Sequence, residues 1–192
     1  GADRRGDQRW VGTEAGNIGH VNWSLMNSKE DPQWGDLHYG VENGDVWCPG
    51  ETTTSIRPGW FYHTYEAGHV KSLSKLMVAY YKSVGRNSTL LLNFPIMPNG
   101  LISPIDSLRG STFCKMVNEI FSHDLTPSTT ITNADGSNNY SVNDSTYIID
   151  FQKPTTFNRF MACEDIRQGQ RVKSFRLEAL VNGKWIPLHD EL

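Results

Sequence analysis

Ser72-Leu73-Ser74-Lys75-Leu76-Met77-Val78-Ala79-Tyr80-Tyr81-Lys82-Ser83-Val84-Gly85, followed after Arg86-Asn87-Ser88 by Thr89-Leu90-Leu91-Leu92-Asn93-Phe94, is the stretch that decides the fold. Val70, Leu73, Leu76, Met77, Tyr80, Tyr81 and Val84 recur at steps of three and four, which puts them on one face of a helix starting at Ser72 and ending at Gly85. The second run is short, continuously apolar and bounded by turn signals, so it reads as a buried strand of a parallel sheet. A second helix follows the Pro98-Asn99-Gly100 turn, with Ile105, Leu108, Phe113, Met116, Val117, Ile120 and Phe121 along its apolar stripe. Helix, buried strand, loop and helix is the rhythm of an α/β barrel or a layered α/β domain.

The texture changes after His123. Residues 126–143 are rich in Thr, Ser, Asn, Gly and Pro, which suits an interdomain linker or the loops of a β module. Beyond them, Tyr147 to Phe151, Phe157 to Met161, Val172 to Leu180 and Trp185 to Leu188 are strand-like runs, and Asn182-Gly183 is a hairpin turn. The expected organisation is an α/β domain over residues 1–125 and a partial all-β module of sandwich type over 126–192, ending at Leu192 before the sandwich closes.

Composition narrows the function classes. A chain of 192 residues with 38% hydrophobic content can bury a core. A formal net charge of -3 with no basic stripe argues against nucleic acid as a main partner, because neutralising phosphates takes clustered Lys and Arg. The apolar runs are too short to span a membrane. Cys48, Cys114 and Cys163 are odd in number, widely spaced and without a CxxC, so they read as buried free thiols and not as a zinc site or disulfide framework.

The chemistry-bearing residues concentrate in Ser55-Ile56-Arg57-Pro58-Gly59-Trp60-Phe61-Tyr62-His63, preceded by Trp47-Cys48-Pro49-Gly50-Glu51 and answered upstream by Arg9-Trp10-Val11-Gly12-Thr13-Glu14. Aromatic rings stack on the C-H faces of a pyranose, while Arg and Glu make charge-assisted hydrogen bonds to its hydroxyls. A Pro-Gly pair bends the chain beside them. The composition is therefore that of a sugar-gripping pocket. The competing reading makes Trp60 and Phe61 core residues under an ordinary loop and Glu14 an exposed loop acid.

These runs, together with Asp7-Gln8 before Arg9, Asn22-Trp23-Ser24, and Tyr81 through Asn93, occur in an order that resembles the retaining α-L-fucosidases of glycoside hydrolase family 29. The likeness is greatest to the subgroup that cleaves α-1,3- and α-1,4-linked fucose from branched glycans. The resemblance implies the C-terminal part of a (β/α)8-like barrel. It also implies a discoidin-like sandwich after it, on Arg159-Phe160 and the string from Glu164 to Lys173.

Retaining glycosidases need two carboxyl groups about 5 Å apart, one attacking the anomeric carbon and one protonating the leaving oxygen. By resemblance Glu14 matches the acid/base, and no residue of the chain matches the attacking Asp, so the isolated chain is expected to be inactive. Trp60 matches the family's aromatic against the fucose ring and its methyl. Arg57 and Glu51 either bind hydroxyls or pair with each other, and Arg4 and Arg9 each stand where a family arginine near the nucleophile could lie. The stretch from Glu30 to Asp45, with Trp34 and His38, is either a pocket-rim insertion touching the branching sugar or plain surface loop. The resemblance further implies fucosylated oligosaccharides or glycoconjugates as partners, metal-free catalysis without a cofactor, and a periplasmic or extracellular location. A non-catalytic carbohydrate-binding protein is the alternative.

Overall fold

The computed structural model describes residues 8–126, 129–133, 146–164, 170–172 and 174–189. They form two compact units, one of residues 1–113 with 164–192 and one of residues 114–163. In chain order the first holds β1 (Arg9–Trp10), β2 (Leu25–Met26), α1 (Trp34–Tyr39), β3 (Val46–Trp47), β4 (Gly50–Ser55), α2 (Leu73–Ser83), β5 (Ser88–Asn93) and the start of α3 (Pro104–Phe121).

The frame of the first unit is a three-stranded parallel sheet in the order β1-β4-β5, with α2 as the crossover between β4 and β5. Trp10 pairs with Glu51 and Glu51 with Thr89, while Thr53 pairs with Leu91 and Ser55 with Asn93, so these side chains share one face. Arg9, Val11, Gly50, Thr52 and Thr54 share the other. That second face carries the core: Val11, Ile18, Cys48, Ile56 and Leu76 are each at most 1% exposed. Burying a side chain the size of Leu76 is worth about 1.5–3 kcal/mol.

Helix α2 begins where the sequence places it, because the Ser72 side chain accepts the Lys75 N–H at 3.3 Å and caps the first turn. Its end differs from expectation. The chain runs on through Gly85 in a 3-10 turn over Val84–Arg86 and is stopped by Asn87 at φ 59. Asparagine tolerates the left-handed region, and the Asn87 amide donates to Ser24 Oγ at 3.1 Å.

Strand β5 is parallel, as its continuous apolar run predicts, but it is not a fully buried strand. One face is covered, whereas Leu91 on the other is 50% exposed and its neighbour Trp10 44% exposed. Helix α3 keeps part of its expected stripe, with Phe113 buried and Met116, Val117, Ile120 and Phe121 half-buried, but its first turns differ. Its buried residues are Asp106, Gly110 and Phe113, while Ile105 and Leu108 of the expected stripe are exposed. At Gly110 a Cβ would lie 2.6 Å from the Phe94 ring, so the missing side chain lets that ring settle on the helix.

The second unit contains the rest of α3 and an antiparallel pair of strands, β6 (Thr130–Asn133) and β7 (Tyr147–Asp150), with Thr130 opposite Asp150. Part of the stretch read as linker or loop is thus a strand. Phe157 to Met161 forms no strand; Phe157 instead stacks on Phe151, ring centroids 6.1 Å apart. Within the first unit, β8 (Leu177–Val181) and β9 (Lys184–His189) pair across Asn182 and Gly183, both at positive φ (51 and 77), as a two-residue hairpin turn requires. Of the three cysteines expected to be buried, only Cys48 is; Cys114 and Cys163 are exposed. Among the described residues no helix is long and apolar enough to cross a membrane.

Candidate active site

The carboxyl ends of parallel strands are where α/β folds collect reactive side chains, since the loops leaving those ends converge. Here three do. The chain leaves the sheet after Val11, whose N–H bonds Glu51 O at 3.2 Å, and rejoins it at Gly16, whose N–H bonds Thr53 O at 3.0 Å. Between them residues 12–15 bulge outward, with Glu14 exposed on the bulge. Gly12 and Gly16 bracket the excursion at φ 79 and 69, backbone that a side chain would strain. Thr13 Oγ1 accepts the Ala15 N–H at 3.3 Å and tightens the turn.

The loop after β4 is held from several directions. Ser55 Oγ donates to Gly59 O at 2.7 Å and accepts the Arg57 N–H at 3.3 Å. Asn93, at the end of β5, donates its amide to Ser55 Oγ and to Trp60 O, each at 3.1 Å. Lys71 donates to Ser55 O and, at 3.2 Å, to Arg57 O. Burial lowers the Lys71 pKa below its ordinary value, with Lys75 adding to the effect. The outcome is the position of Trp60, whose indole Nε1–H donates to Glu14 Oε2 at 2.6 Å.

Arg57 is fully buried and does not pair with Glu51. Its Nε faces Asp106 on α3, at 2.8 Å from Oδ2 and 3.1 Å from Oδ1, and Nη1 donates to His63 O at 3.2 Å. The guanidinium also lies 4.9 Å from the centroid of Tyr62. Its Nη2 is buried without a hydrogen-bond partner. Asp106 carries no signal in the sequence, because an acid in a first helical turn is ordinarily a solvated, dipole-complementing residue.

Arg9 is fully buried too, on the face away from Trp10. It donates from Nε to Leu37 O at 3.0 Å and from Nη1 to Cys48 O at 2.5 Å, tying α1 to the segment entering β4. Desolvation by burial pulls its pKa down to about 10, partly offset by Cys48, and it stays cationic at neutral pH. Glu51 lies on the Trp10 face, four residues before the end of β4, about 13 Å along the strand from Ser55. The structure therefore brings Glu14 and Trp60 together, buries Arg57 within the loop that carries Trp60, and sets Arg9 and Glu51 elsewhere on the sheet. Arg4 lies outside the described residues. An open cleft of about 290 Å³, lined by Ser24, Trp47, Pro49, Val84, Asn87, Ser88 and Thr89, sits at the opposite, amino ends of β4 and β5.

A parallel sheet that gathers a carboxylate and an indole at its carboxyl end has the layout of a ligand-binding site of an α/β protein. No protein-family model matches the sequence. Known proteins are nonetheless similar over nearly all of it. The alpha-L-fucosidase 1 of Arabidopsis thaliana is 34% identical over 209 residues, 95% of this chain and 41% of the relative. A crystal structure of a glycoside hydrolase 29 family member from an unknown rumen bacterium is 61% identical with a TM-score of 0.87, over 97% of this chain and 32% of that one. A Ruminococcus gnavus fucosidase of that family, solved in complex with fucose, is 26% identical with a TM-score of 0.79, over 96% of this chain and 42% of that one. The chain belongs to glycoside hydrolase family 29, the α-L-fucosidases. It spans about two fifths of the length of the curated relatives it matches.

Proposed function

We propose that the whole protein is a retaining exo-α-L-fucosidase, with Glu14 as general acid/base and Trp60 as the aromatic wall of the fucose pocket. The observation that carries the reading is the 2.6 Å bond from the Trp60 indole to the Glu14 carboxylate, which joins the family's two expected site residues at one point. In such a mechanism Glu14 gives its proton to the glycosidic oxygen as a carboxylate attacks the anomeric carbon, then takes a proton from the water that releases fucose. The indole N–H fixes the rotamer of Glu14 while its ring offers an apolar surface to the sugar. Motif likeness supports terminal α-1,3- or α-1,4-linked L-fucose on glycans as substrate and a periplasmic or extracellular location.

The test is leaving-group dependence in the whole protein. Replacing Glu14 with Ala is expected to slow aryl α-L-fucosides with poor leaving groups far more than good ones, since only the former need the proton. Equal slowing would remove Glu14 from the role, and no turnover by the unaltered protein, with fucose bound, would favour a carbohydrate-binding protein instead. The 192 residues expressed alone are expected to hydrolyse no aryl α-L-fucoside, because the three parallel strands among the described residues enclose no barrel and no residue matches the attacking Asp; measurable turnover would sink that expectation.

A further inference from the structure

The segment before β3 carries an aromatic cluster that the proposed catalytic role leaves unused. Trp34, the first residue of α1, is 59% exposed, unusual for so large an apolar ring. One face stacks on His38, with centroids 5.1 Å apart and planes 10° from parallel, and His38 packs edge-on against Tyr39. The edge of the indole lies on Gly12: a Cβ at that residue would be 3.1 Å from Trp34 Cδ1 and 3.2 Å from Nε1. With the residue 59% exposed, the ring surface left uncovered by these contacts faces solvent.

This ring is anchored. Arg9 bonds Leu37 O at 3.0 Å, Gly19 N–H bonds His38 O at 3.2 Å, and Trp23 N–H bonds Tyr39 O at 2.7 Å. The Gln33 N–H bonds Asp36 Oδ2 at 2.9 Å and closes the helix start. Arg9 thus acts through α1, tying it to the sheet.

Gly12 is two residues from Glu14, a span of at most about 7 Å. A general acid protonates the oxygen that leaves, and the sugar released with that oxygen must lie on the acid's side of the site. We infer that the uncovered ring surface of Trp34 is a stacking platform for the sugar to which fucose is attached, and so a determinant of which glycans are cut. This rests on the reading of Glu14 as the acid/base.

The test compares two substrates in the whole protein: a trisaccharide bearing terminal α-linked fucose, and α-L-fucosyl fluoride. The fluoride has no second ring to stack, and an aryl fucoside is avoided because its aglycone could stack on Trp34 as well. Trp34→Ala is expected to lower kcat/KM for the trisaccharide about tenfold more than for the fluoride, a difference of about 1.4 kcal/mol, mainly through KM. Trp34→Phe, which keeps an aromatic ring, is expected to recover most of the loss. A ratio of substrates unchanged by Trp34→Ala overturns the inference, as does Trp34→Phe behaving like Ala. Misfolding lowers the fluoride rate too, so the unmoved ratio is read with that rate retained, and Trp34→Phe supplies the folded comparison. Failure of the unaltered protein to turn over the fluoride removes the fucosidase reading itself and this inference with it, whereas fluoride turnover with an unmoved ratio removes the platform alone.

Discussion

The Arg57 guanidinium and the Asp106 carboxylate meet with neither side chain exposed, Nε lying 2.8 and 3.1 Å from the two oxygens, and they join the loop after β4 to the first turn of α3. Removing one partner of such a pair strands the other charge in the interior. Asp106→Ala is therefore expected to lower stability by about 3–5 kcal/mol, read from the denaturant midpoint. Replacing both members, Arg57→Met with Asp106→Leu, should restore much of it; a double variant as unstable as the single would show that the loop needs the hydrogen bonds and not merely charge balance.

Trp60 joins two separable contributions, an indole N–H on Glu14 and a ring beside the site. Trp60→Phe deletes only the first. Because Glu14 is exposed, water replaces the lost donor, and kcat/KM of the whole protein is expected to fall no more than about tenfold. Trp60→Ala removes the ring as well and should be roughly ten times worse again. Equal losses would assign the whole effect to the hydrogen bond.

Gly12 at φ 79 has the Trp34 indole in the place of a side chain. Gly12→Ala meets left-handed strain of about 1–2 kcal/mol in addition to that contact. Gly35, inside α1 with no atom within 4 Å of where a methyl group would sit, is the control. Gly35→Ala is expected to raise the melting temperature slightly, by relieving glycine's cost of about 0.5–1 kcal/mol in a helix, while Gly12→Ala lowers it.

The three cysteines are distinguished by burial alone. Cys114 and Cys163 are exposed and should react with a thiol reagent in the native protein, while Cys48, 1% exposed, should react only on unfolding. Three fast thiols in the native state would contradict the packing around Cys48.

Much of the frame is legible in the sequence because it depends on local signals. The period of Leu73, Leu76, Met77 and Tyr80 specifies α2, Ser72 caps it, the run after Asn87 forms the parallel strand, and Asn182-Gly183 turns the last hairpin. Glu14 and Trp60 are visible as candidates through motif order. Which side chains face each other is not legible in this way. Arg57 and Glu51 are close in sequence and both charged, yet strand geometry separates them and Arg57 instead meets Asp106, 49 residues away. The first turns of α3, where Ile105 and Leu108 are exposed and Asp106 and Gly110 buried, depart from the apolar stripe for the same reason, because the ring over Gly110 comes from Phe94 outside the helix.

By itself, then, the sequence determined the α/β order of elements, the main helix and its cap, the parallel strand and the chemical character of the site, since all of these follow from periodicity, turn residues and residue type. Tertiary structure alone decided that Glu14 and Trp60, 46 residues apart, touch. It also decided that Arg9 and Arg57 are buried struts and that Trp34 stands beside Gly12. The physical reason is that hydrogen bonds and ring contacts between distant segments depend on register and burial, which are set when the sheet and its loops pack together.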